Sequence, residues 1–436
     1  MQKGKQLELQ LTRVKGRRVR VDFKGGEVTS DAGLLLIREV DRRLGLSEQA
    51  AGQLVDKRQK CKVRHEVLGM LRQRVYGLVA GYEDLNDFDT LRHDPLLQTA
   101  TGRTEALASA PTLCRFENGQ DRRTAFAMNE LLVEQFMGSF AQEPEEIILD
   151  FDATDNPVHG LQEERFFHGY YDHYCFLPLY VFCGDQILVA YLRPSKIDAS
   201  KHTGAILKLL VKRIRQSWPR TRIIWRADSG FCRDRILSWC ERNEVYFIVG
   251  MARNGRLQQD GQQLQEQAKQ RFELTGKKHR LFQDFEYGAK SWGRRRRVIH
   301  KAEHTAQGSN PRFAVTNLRG DPQELYDKVY CPRGEMENRI KEQMQLFSER
   351  TSAHKWWANQ WRLLLSALAY TLLEAMRRFA LKGTKWARLQ CHSLRLKLIK
   401  IGAVIVRNTR TIHFHLSESY PWAALFNHVA RRLVPT

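Results

Sequence analysis

The order of apolar and polar positions divides the chain into a helical first third and a mixed second part. Residues 63–137 repeat apolar side chains at a spacing near 3.6, which is the period of a helix that buries one face. From about residue 144 the period changes, and short apolar runs alternate with amphipathic stretches. The resulting order, β-β-β-α-β-α-β, predicts a mixed α/β sheet.

The remaining segments follow other patterns. Residues 1–24 are basic and alternate between apolar and polar side chains, which predicts short strands or an arm. Residues 255–318 are polar and rich in Gln, and we expect a β-rich insertion with hairpins there. A long helical stretch begins near Pro322 and includes the apolar run 363–373, which is closely flanked by charge and is expected as a buried helix.

Two of the predicted strands end in aspartate. The stretch EEIILDFDAT places Asp150 and Asp152 on one strand face with Ile148, because side chains alternate along a strand. The stretch IIWRADSGF ends a second strand at Asp228. Adjacent strands can bring such carboxylates together, where their repulsion favours a neutralising Mg²⁺ or Mn²⁺ ion. The alternative is that each aspartate only caps a turn.

A third carboxylate is expected from a helix that begins after Pro332 in YCPRGEMENRIKEQMQLF. The apolar stripe of this helix leaves Glu337 at the boundary of the buried face. Arg333 and Lys341 stand four residues to either side of Glu337 and share its side of the helix. A surface ion pair between Glu337 and Lys341 is the alternative interpretation of this spacing.

The net charge of the chain predicts a polyanionic partner. The 436 residues include 71 Lys and Arg against 49 Asp and Glu, a net charge of +22. Such a field favours nucleic acid as the partner, ahead of an anionic membrane surface. No apolar run approaches the ~20 residues of a membrane span. The N-terminus has no apolar signal core, and the 8 cysteines lack zinc-site spacing. We therefore expect a cytosolic protein with no membrane association.

Several short stretches together resemble the DDE-type transposases of insertion sequences, and most of all the insertion sequence 1380 family. They are LDFDATDNPVHG, LPLYVFCG, LRPSK, RADSGF, YCPRGEMENRIKE and ANQWRLLLSALAY, preceded by PTLCRFEN. Together they cover residues 111–118 and roughly 145–370. Each stretch alone is weak, but their order, spacing and number make the set specific.

The resemblance implies a ribonuclease H-like core in which Asp152, Asp228 and Glu337 are the catalytic and metal-binding acids. Asp150 competes with Asp152 for the first of these positions. Asp152 is preferred, because it fits the Asp-x-Thr pattern of the family better and lies nearer the strand end.

The resemblance also indicates the residues that contact DNA. Tyr330, Arg333 and Glu337 match the Tyr-x-x-Arg-x-x-x-Glu signature of a related group, which usually ends in a lysine seven residues after the glutamate. This chain has Met344 there, so Lys341 is the candidate substitute. A basic run in the insertion either follows the DNA or lines a solvated hairpin. The candidate DNA-binding residues are Tyr330, Arg333, Lys341, Arg294, Arg295, Arg296 and Arg297.

The predicted fold class is α/β: a ribonuclease H-like mixed sheet with helices, interrupted by a β-rich insertion, plus a helical N-terminal domain and a helical, basic C-terminal region. Residues 1–140 are expected to form a mostly helical DNA-binding domain with a basic arm. The catalytic core is expected in two parts, 141–254 and 321–380. The insertion covers 255–320, and the basic C-terminal region covers 381–436.

The reaction implied by this resemblance is cleavage at the insertion-sequence ends, followed by joining of the freed 3′-hydroxyl to target DNA. Two Mg²⁺ or Mn²⁺ ions per site would be held by the three acids. The expected partners are double-stranded DNA, as terminal inverted repeats and target, and a second copy of the chain, because two ends must be held together.

Two other functions remain open from the residues alone. The stretch IILDFDAT also fits the hydrophobic-Asp-x-Asp-x-Thr pattern of haloacid-dehalogenase-like phosphatases, with Asp150 as nucleophile and Asp152 as acid/base. The second alternative is a catalytically inactive DNA-binding protein descended from a transposase.

Overall fold

The computed structural model describes residues 9–434, so the first eight residues of the predicted basic arm lie outside the described chain. The chain divides into two compact units. One unit combines residues up to 116 with those from 372 onward, and the other consists of residues 117–371. The N-terminal and C-terminal segments of the sequence therefore belong to the same unit.

The first unit begins with three short strands, and most of its remaining N-terminal segment is helical, as the apolar spacing predicts. The elements are β1 (Leu9–Val14), β2 (Arg17–Val21), β3 (Glu27–Thr29), α1 (Leu34–Leu44), α2 (Leu46–Gly52), α3 (Val67–Ala80), α4 (Asp87–Leu91), α5 (Pro95–Ala100) and α6 (Ala110–Asn118).

The second unit contains the predicted alternation of strands and helices. Its first elements are α7 (Arg122–Met137), β4 (Glu146–Ala153), β5 (Asn156–Pro157), β6 (Phe166–His168), β7 (His173–Phe176), β8 (Leu179–Cys183), β9 (Gln186–Tyr191), α8 (Thr203–Ser217), β10 (Arg222–Ala227), α9 (Asp234–Arg242) and β11 (Tyr246–Met251). The elements that follow are α10 (Gly255–Asp260), α11 (Gln262–Thr275), β12 (His279–Tyr287), β13 (Arg296–Thr305), β14 (Gly308–Ser309), β15 (Arg312–Thr316), α12 (Pro322–Glu324), α13 (Gly334–Gln345) and α14 (Trp356–Met376).

The described part of this unit is organised around a nine-stranded mixed sheet. Its order is β12-β13-β15-β11-β10-β4-β8-β9, and β14 pairs with β13. The three central strands β4, β10 and β11 run parallel, whereas β8 is antiparallel to β4 and β15 is antiparallel to β11. The predicted mixed α/β sheet is thus confirmed.

Alternating side chains along β4 separate an apolar face from an acidic one. Ile147, Leu149 and Phe151 are buried in the main apolar cluster with residues of α8 and α9. Ile148 points to the opposite face, where a smaller cluster contains Ile224, Ile248 and Tyr326. Asp150 and Asp152 lie on this second face because they are two and four residues beyond Ile148.

The region predicted as a β-rich insertion with hairpins contains two helices before its antiparallel strands. Residues 255–260 and 262–275 are the helices α10 and α11, and strands follow only from residue 279. Strands β12, β13 and β15 do not form a separate hairpin layer; they extend the main sheet beyond β11. The Gln-rich polarity that suggested a loop or hairpin instead belongs to an exposed helix, since Gln is a good helix former.

The C-terminal region also corrects a sequence-based expectation. Residues 381–436 were expected to be helical, but the described part contains a hairpin, β16 (Ala403–Arg407) and β17 (Ile412–Leu416), between the helices α15 (Cys391–Leu394) and α16 (Ala423–Leu433). Strand β16 pairs with β3, which joins the two ends of the sequence in one three-stranded sheet. Within residues 9–434, no helix is long and apolar enough to cross a lipid bilayer.

Candidate active site

The register of two parallel strands brings two carboxylates to one edge of the sheet. The last residues paired between β4 and β10 are Phe151 and Ala227. Continuing this register by one residue sets Asp152 opposite Asp228. Neighbouring strands lie about 4.8 Å apart, so both carboxylates emerge at the same strand ends, as the sequence predicts.

Asp228 also caps the turn that follows it. Its Oδ1 accepts a hydrogen bond from the amide of Gly230 at 2.8 Å, which begins a 3₁₀ turn at Ser229–Phe231. The cap does not exclude the role that the sequence predicts for Asp228, because a carboxylate can cap a turn with one lone pair and still accept other partners.

The third carboxylate arrives on α13. A π-helical turn, Leu325–Tyr330, and a 3₁₀ turn, Cys331–Arg333, lead into this helix. The carbonyl of Val329 accepts a hydrogen bond from Arg226 of β10 at 2.5 Å, which fixes the turn against the sheet. Glu337 follows in the first turn of α13, with its side chain 55% exposed.

Arg333 bridges the strand carboxylate and the helix carboxylate. Its Nη1 lies 3.2 Å from Oδ2 of Asp152, and its Nη2 lies 3.3 Å from Oε1 of Glu337. The side chain of Asp152 is 12% exposed, and that of Arg333 is 19% exposed. A single guanidinium therefore stands where two carboxylates from distant parts of the sequence converge.

The pKa shifts indicate that the charges of Asp228 and Glu337 act on Asp152. Burial raises the pKa of Asp152 to about 7, and the charges of Asp228 and Glu337 add to the rise against the opposing effect of Arg333. Burial alone would lower the pKa of Arg333, but the surrounding acidic groups, Asp152 foremost, hold that pKa above its ordinary value. The site is an acidic cluster neutralised by an internal cation.

A comparison with protein-family models shows which family this chain belongs to. The family model for the transposase DDE domain, group 1, matches residues 11–436. The chain belongs to the DDE transposase family. It is a DNA transposase, a metal-dependent enzyme that cleaves DNA strands and transfers them.

A solved structure is similar to this chain, whereas no curated protein matches it. A search of curated proteins finds no match to this transposase. Among solved structures, piggyBac transposase in a synaptic complex with hairpin DNA, determined by cryo-EM, is similar to it. The similarity covers 84% of this chain and 79% of that chain, at 10% sequence identity and a TM-score of 0.43.

Divalent metal ions serve this family, and the donor set of the transposase fits them. Carboxylate oxygens are the preferred ligands of Mg²⁺ and Mn²⁺. Within residues 9–434, no three His, Cys, Asp or Glu side chains are close enough to hold a metal ion as they stand. The guanidinium of Arg333 contacts one oxygen of Asp152 and one of Glu337 and supplies positive charge there.

Asp150, the competitor for the first acid position, is occupied elsewhere. Both of its carboxylate oxygens accept hydrogen bonds from Arg226, at 2.5 and 2.6 Å, and both side chains are less than 10% exposed. Asp150 and Arg226 are also directly opposite each other in the register of β4 and β10. Asp150 therefore links β4 to β10 through Arg226.

The four-arginine run of the transposase is divided between the interior and the surface. Arg296 is buried and donates to Asp234, Ser238 and Glu241, which corrects its prediction as a DNA contact. Arg297 is half-buried and donates to Asp284 and to two backbone carbonyls, so it too stabilises the fold. Arg294 and Arg295 are exposed.

The other predicted DNA contacts are close to the acids. Tyr330 is half-buried, and the charges of Arg333 and Asp228 act on its phenol. Burial raises the pKa of Tyr330. Lys341 is exposed on α13, one helical turn beyond Glu337. The structure thus groups Tyr330, Arg333 and Glu337 tightly and leaves Lys341 at the outer side.

Sequence reasoning missed two residues that shape the site. Arg226 is the only charge within the apolar stretch IIWRA of β10 and lies directly opposite Asp150, and that isolated charge was the available signal. Gly250 of β11 is the second. A Cβ at this position would lie 2.4 Å from the hydroxyl of Tyr330 and 3.0 Å from the amide of Ser229. Nothing in the sequence of β11 indicated that close approach.

Proposed function

We propose that Asp152, Asp228 and Glu337 are the catalytic acids of this DNA transposase. The observation that carries the proposal is the position of Arg333, held between Asp152 and Glu337 in a cluster to which Asp228 also contributes. Two carboxylates, from a strand end and a helix, contact one cation there, and the charge of Asp228 also acts on that cation. An acid cluster with one strongly shifted pKa is typical of a functional site.

The exposures of the three groups suggest how DNA reaches them. Asp152 is nearly buried at the floor of the site, whereas Glu337 is largely exposed. A DNA strand would therefore approach from the α13 side. Asp152, Asp228 and Glu337 would hold two Mg²⁺ or Mn²⁺ ions. When bound, these ions activate the attacking oxygen and stabilise the leaving oxygen of the phosphodiester.

Arg333 has a second task in this scheme. Once the carboxylates are neutralised by another cation, its guanidinium is free to turn to a DNA phosphate, for which it is well shaped. Lys341, exposed on the same helix, would add a second phosphate contact. Tyr330, beside Arg333, would pack against a sugar or base.

The strand order and the motif order support three further assignments: the type of core, the insertion and the transposase family. We infer a ribonuclease H-like core in residues 141–254 and 321–380, supported by the antiparallel run β9-β8-β4 followed by the parallel strands β10 and β11. Residues 255–320 would be an insertion into that core. The motif order supports membership of the insertion sequence 1380 family.

The DNA-binding role would be carried by regions outside the core. Residues 1–140 and 381–436 are proposed to grip the terminal inverted repeats, and the exposed Arg294 and Arg295 would follow the end DNA. A homodimer would hold two ends for joining to target DNA. Because its substrate would be the bacterial chromosome, we propose that the enzyme is cytosolic.

A phosphatase is disfavoured by the same contacts. Its nucleophile would be Asp150, whose oxygens are both engaged by Arg226. An inactive DNA-binding descendant would not need the clustered acids to remain together. Neither alternative is supported by an observation of its own.

The test is Mg²⁺-dependent cleavage of a duplex that carries the terminal repeat of the element encoding this chain. Asp228→Asn is expected to abolish cleavage and to retain DNA binding in a gel-shift assay. Asp260→Asn, at an exposed position of α10, is the matched control and should cut as the wild type does. Cleavage by Asp228→Asn at the wild-type rate would remove Asp228 from the site.

A further inference from the structure

The hairpin formed by β6 and β7, residues 166–176, exposes an unusual number of aromatic rings. We call it the aromatic hairpin. Tyr170 at its turn is 85% exposed, Phe167 is 53% exposed and Tyr174 is 46% exposed. Phe167 and Tyr174 are register partners on one face, with ring centroids 5.7 Å apart. Grouped exposed aromatics on a folded protein typically mark a binding surface.

A continuous row of contacts connects the turn of the aromatic hairpin to the strand end of the site. The ring of Tyr170 lies 5.0 Å from that of Tyr171, which lies 6.0 Å from His173. Nε2 of His173 is 2.8 Å from Oδ2 of Asp155, three residues beyond Asp152. Burial raises the pKa of Tyr171 to about 12, and the charges of Asp155 and then Asp152 add to the rise. The aromatic hairpin therefore contacts Asp155, three residues beyond the candidate acid Asp152, and the charge of Asp152 acts on its Tyr171.

Cations accompany these rings. The guanidinium carbon of Arg165 lies 4.7 Å from the ring centroid of Tyr174. The ammonium of Lys196 lies 4.1 Å from the ring centroid of Phe166. Rings interleaved with basic side chains are the composition of surfaces that bind single-stranded nucleic acid, since the bases stack and the phosphates are neutralised.

We propose that the aromatic hairpin stacks an unpaired base of the DNA strand that enters the candidate active site. This inference rests on the proposed catalytic role of Asp152, which fixes where that strand lies. The occupant is single-stranded DNA rather than a second copy of the chain, because Arg165 and Lys196 supply charge that suits phosphates. Stacking on exposed rings is tolerant of sequence, so no particular base is required.

Unpairing of a base would also help the DNA backbone to reach the candidate active site. A phosphodiester inside a stacked duplex is flanked by rigid neighbours, whereas a displaced base lets the backbone enter a recessed site. Asp152 is such a recessed group, with its side chain 12% exposed. Stacking the displaced base on Tyr170 or Phe167 would offset part of the few kcal/mol that unstacking costs.

The test measures binding of the full chain to two probes without divalent metal: a blunt duplex, and the same duplex with a short single-stranded overhang. The wild type is expected to bind the overhang probe roughly 5- to 100-fold more tightly, the range that one stacked base supplies. Tyr170→Ala and Phe167→Ala should reduce that preference, whereas Tyr170→Phe should keep it because the ring remains.

Leu274→Ala is the matched control, since Leu274 is also 85% exposed and belongs to α11, outside the aromatic hairpin. It should leave both affinities unchanged. Equal overhang binding by the wild type, Tyr170→Ala and Phe167→Ala would overturn the proposal. So would a loss of dimer mass in these variants without DNA, because the hairpin would then be a protein interface. Cleavage by Asp228→Asn tests the catalytic assignment separately, since this binding assay contains no metal.

Discussion

Arg226 and Asp150 form a buried two-point ion pair, with Nε to Oδ1 at 2.5 Å and Nη2 to Oδ2 at 2.6 Å. The remaining Nη1 of Arg226 donates to the carbonyl of Val329. One guanidinium thus ties β4 and β10 to the turn that leads into α13. Asp150 and Asp152 differ in role although they lie on the same strand face: one holds the scaffold, and the other lies in the acid cluster.

Asp150→Ala is expected to lower the free energy of unfolding by roughly 3–5 kcal/mol, because it leaves Arg226 buried without its carboxylate. Asp152→Asn is expected to abolish cleavage with little loss of stability, because it replaces a buried carboxylate with a neutral group of the same shape. Urea denaturation of both variants measures this difference. Equal stability of Asp150→Ala and the wild type would contradict the scaffold role.

Arg333→Ala is expected to tighten Mn²⁺ binding in the absence of DNA by roughly tenfold, or about 1.4 kcal/mol. The physical reason is competition, since the guanidinium occupies the position where a metal ion would meet Asp152 and Glu337. The same variant should lose cleavage. Isothermal titration calorimetry measures the affinity, with Lys341→Ala as a control on the same helix. Weaker Mn²⁺ binding by Arg333→Ala would refute the competition.

Gly250→Ala is expected to impair cleavage by roughly a hundredfold, because displacement by about 1 Å near a reacting group has that effect. The added methyl group would collide with the hydroxyl of Tyr330, and overpacking also costs roughly 1–3 kcal/mol of stability. Gly255→Ala is the control, since no atom lies within 4 Å of a Cβ at that position. Gly250→Ala should therefore lose cleavage activity and stability, whereas Gly255→Ala should keep both. Equal cleavage rates and equal free energies of unfolding would show that the Tyr330 side chain moves aside without cost.

His300 predicts a pH dependence of stability that is unrelated to catalysis. Its ring is fully buried and stacks on Phe313 at 4.6 Å, and burial lowers the pKa of His300 to about 4. The folded chain keeps this ring neutral, whereas the unfolded chain protonates it below about pH 6.5. The free energy of unfolding is therefore unaffected by His300 above pH 6.5. As the pH falls towards 4, protonation of His300 in the unfolded chain lowers that free energy by roughly 3 kcal/mol.

The measurement for His300 is the free energy of unfolding across that pH range. His300→Gln cannot be protonated there and should show a smaller decline than the wild type. Parallel curves for the two proteins would mean that other groups cause the acid sensitivity.

The sequence predicted the central sheet and the convergence of the acids for physical reasons. Strand periodicity placed Asp150 and Asp152 on one face, and matched strand ends placed Asp152 near Asp228. The helix of Glu337 was recognisable from its apolar stripe. These features depend on local periodicity, which a single sequence displays.

Other features depend on which distant segments meet. The pairing of Asp150 with Arg226 required the register of β4 and β10, and the burial of Arg296 required α9 to pack beside β13. Helices α10 and α11 lack the apolar stripe that reveals a packed helix, so their residues were assigned to a β-rich insertion. Strands β16 and β3 are separated by most of the chain, and no local pattern announces their pairing.

The central claim is that Asp152, Asp228 and Glu337 grip metal ions together. Its most direct test is the anomalous scattering of Mn²⁺ in crystals of the full chain soaked with that ion. The account predicts a Mn²⁺ peak within about 2.5 Å of oxygens from these carboxylates, with Arg333 moved away from Asp152. A peak located elsewhere, with Arg333 still bridging Asp152 and Glu337 at saturating Mn²⁺, would contradict it.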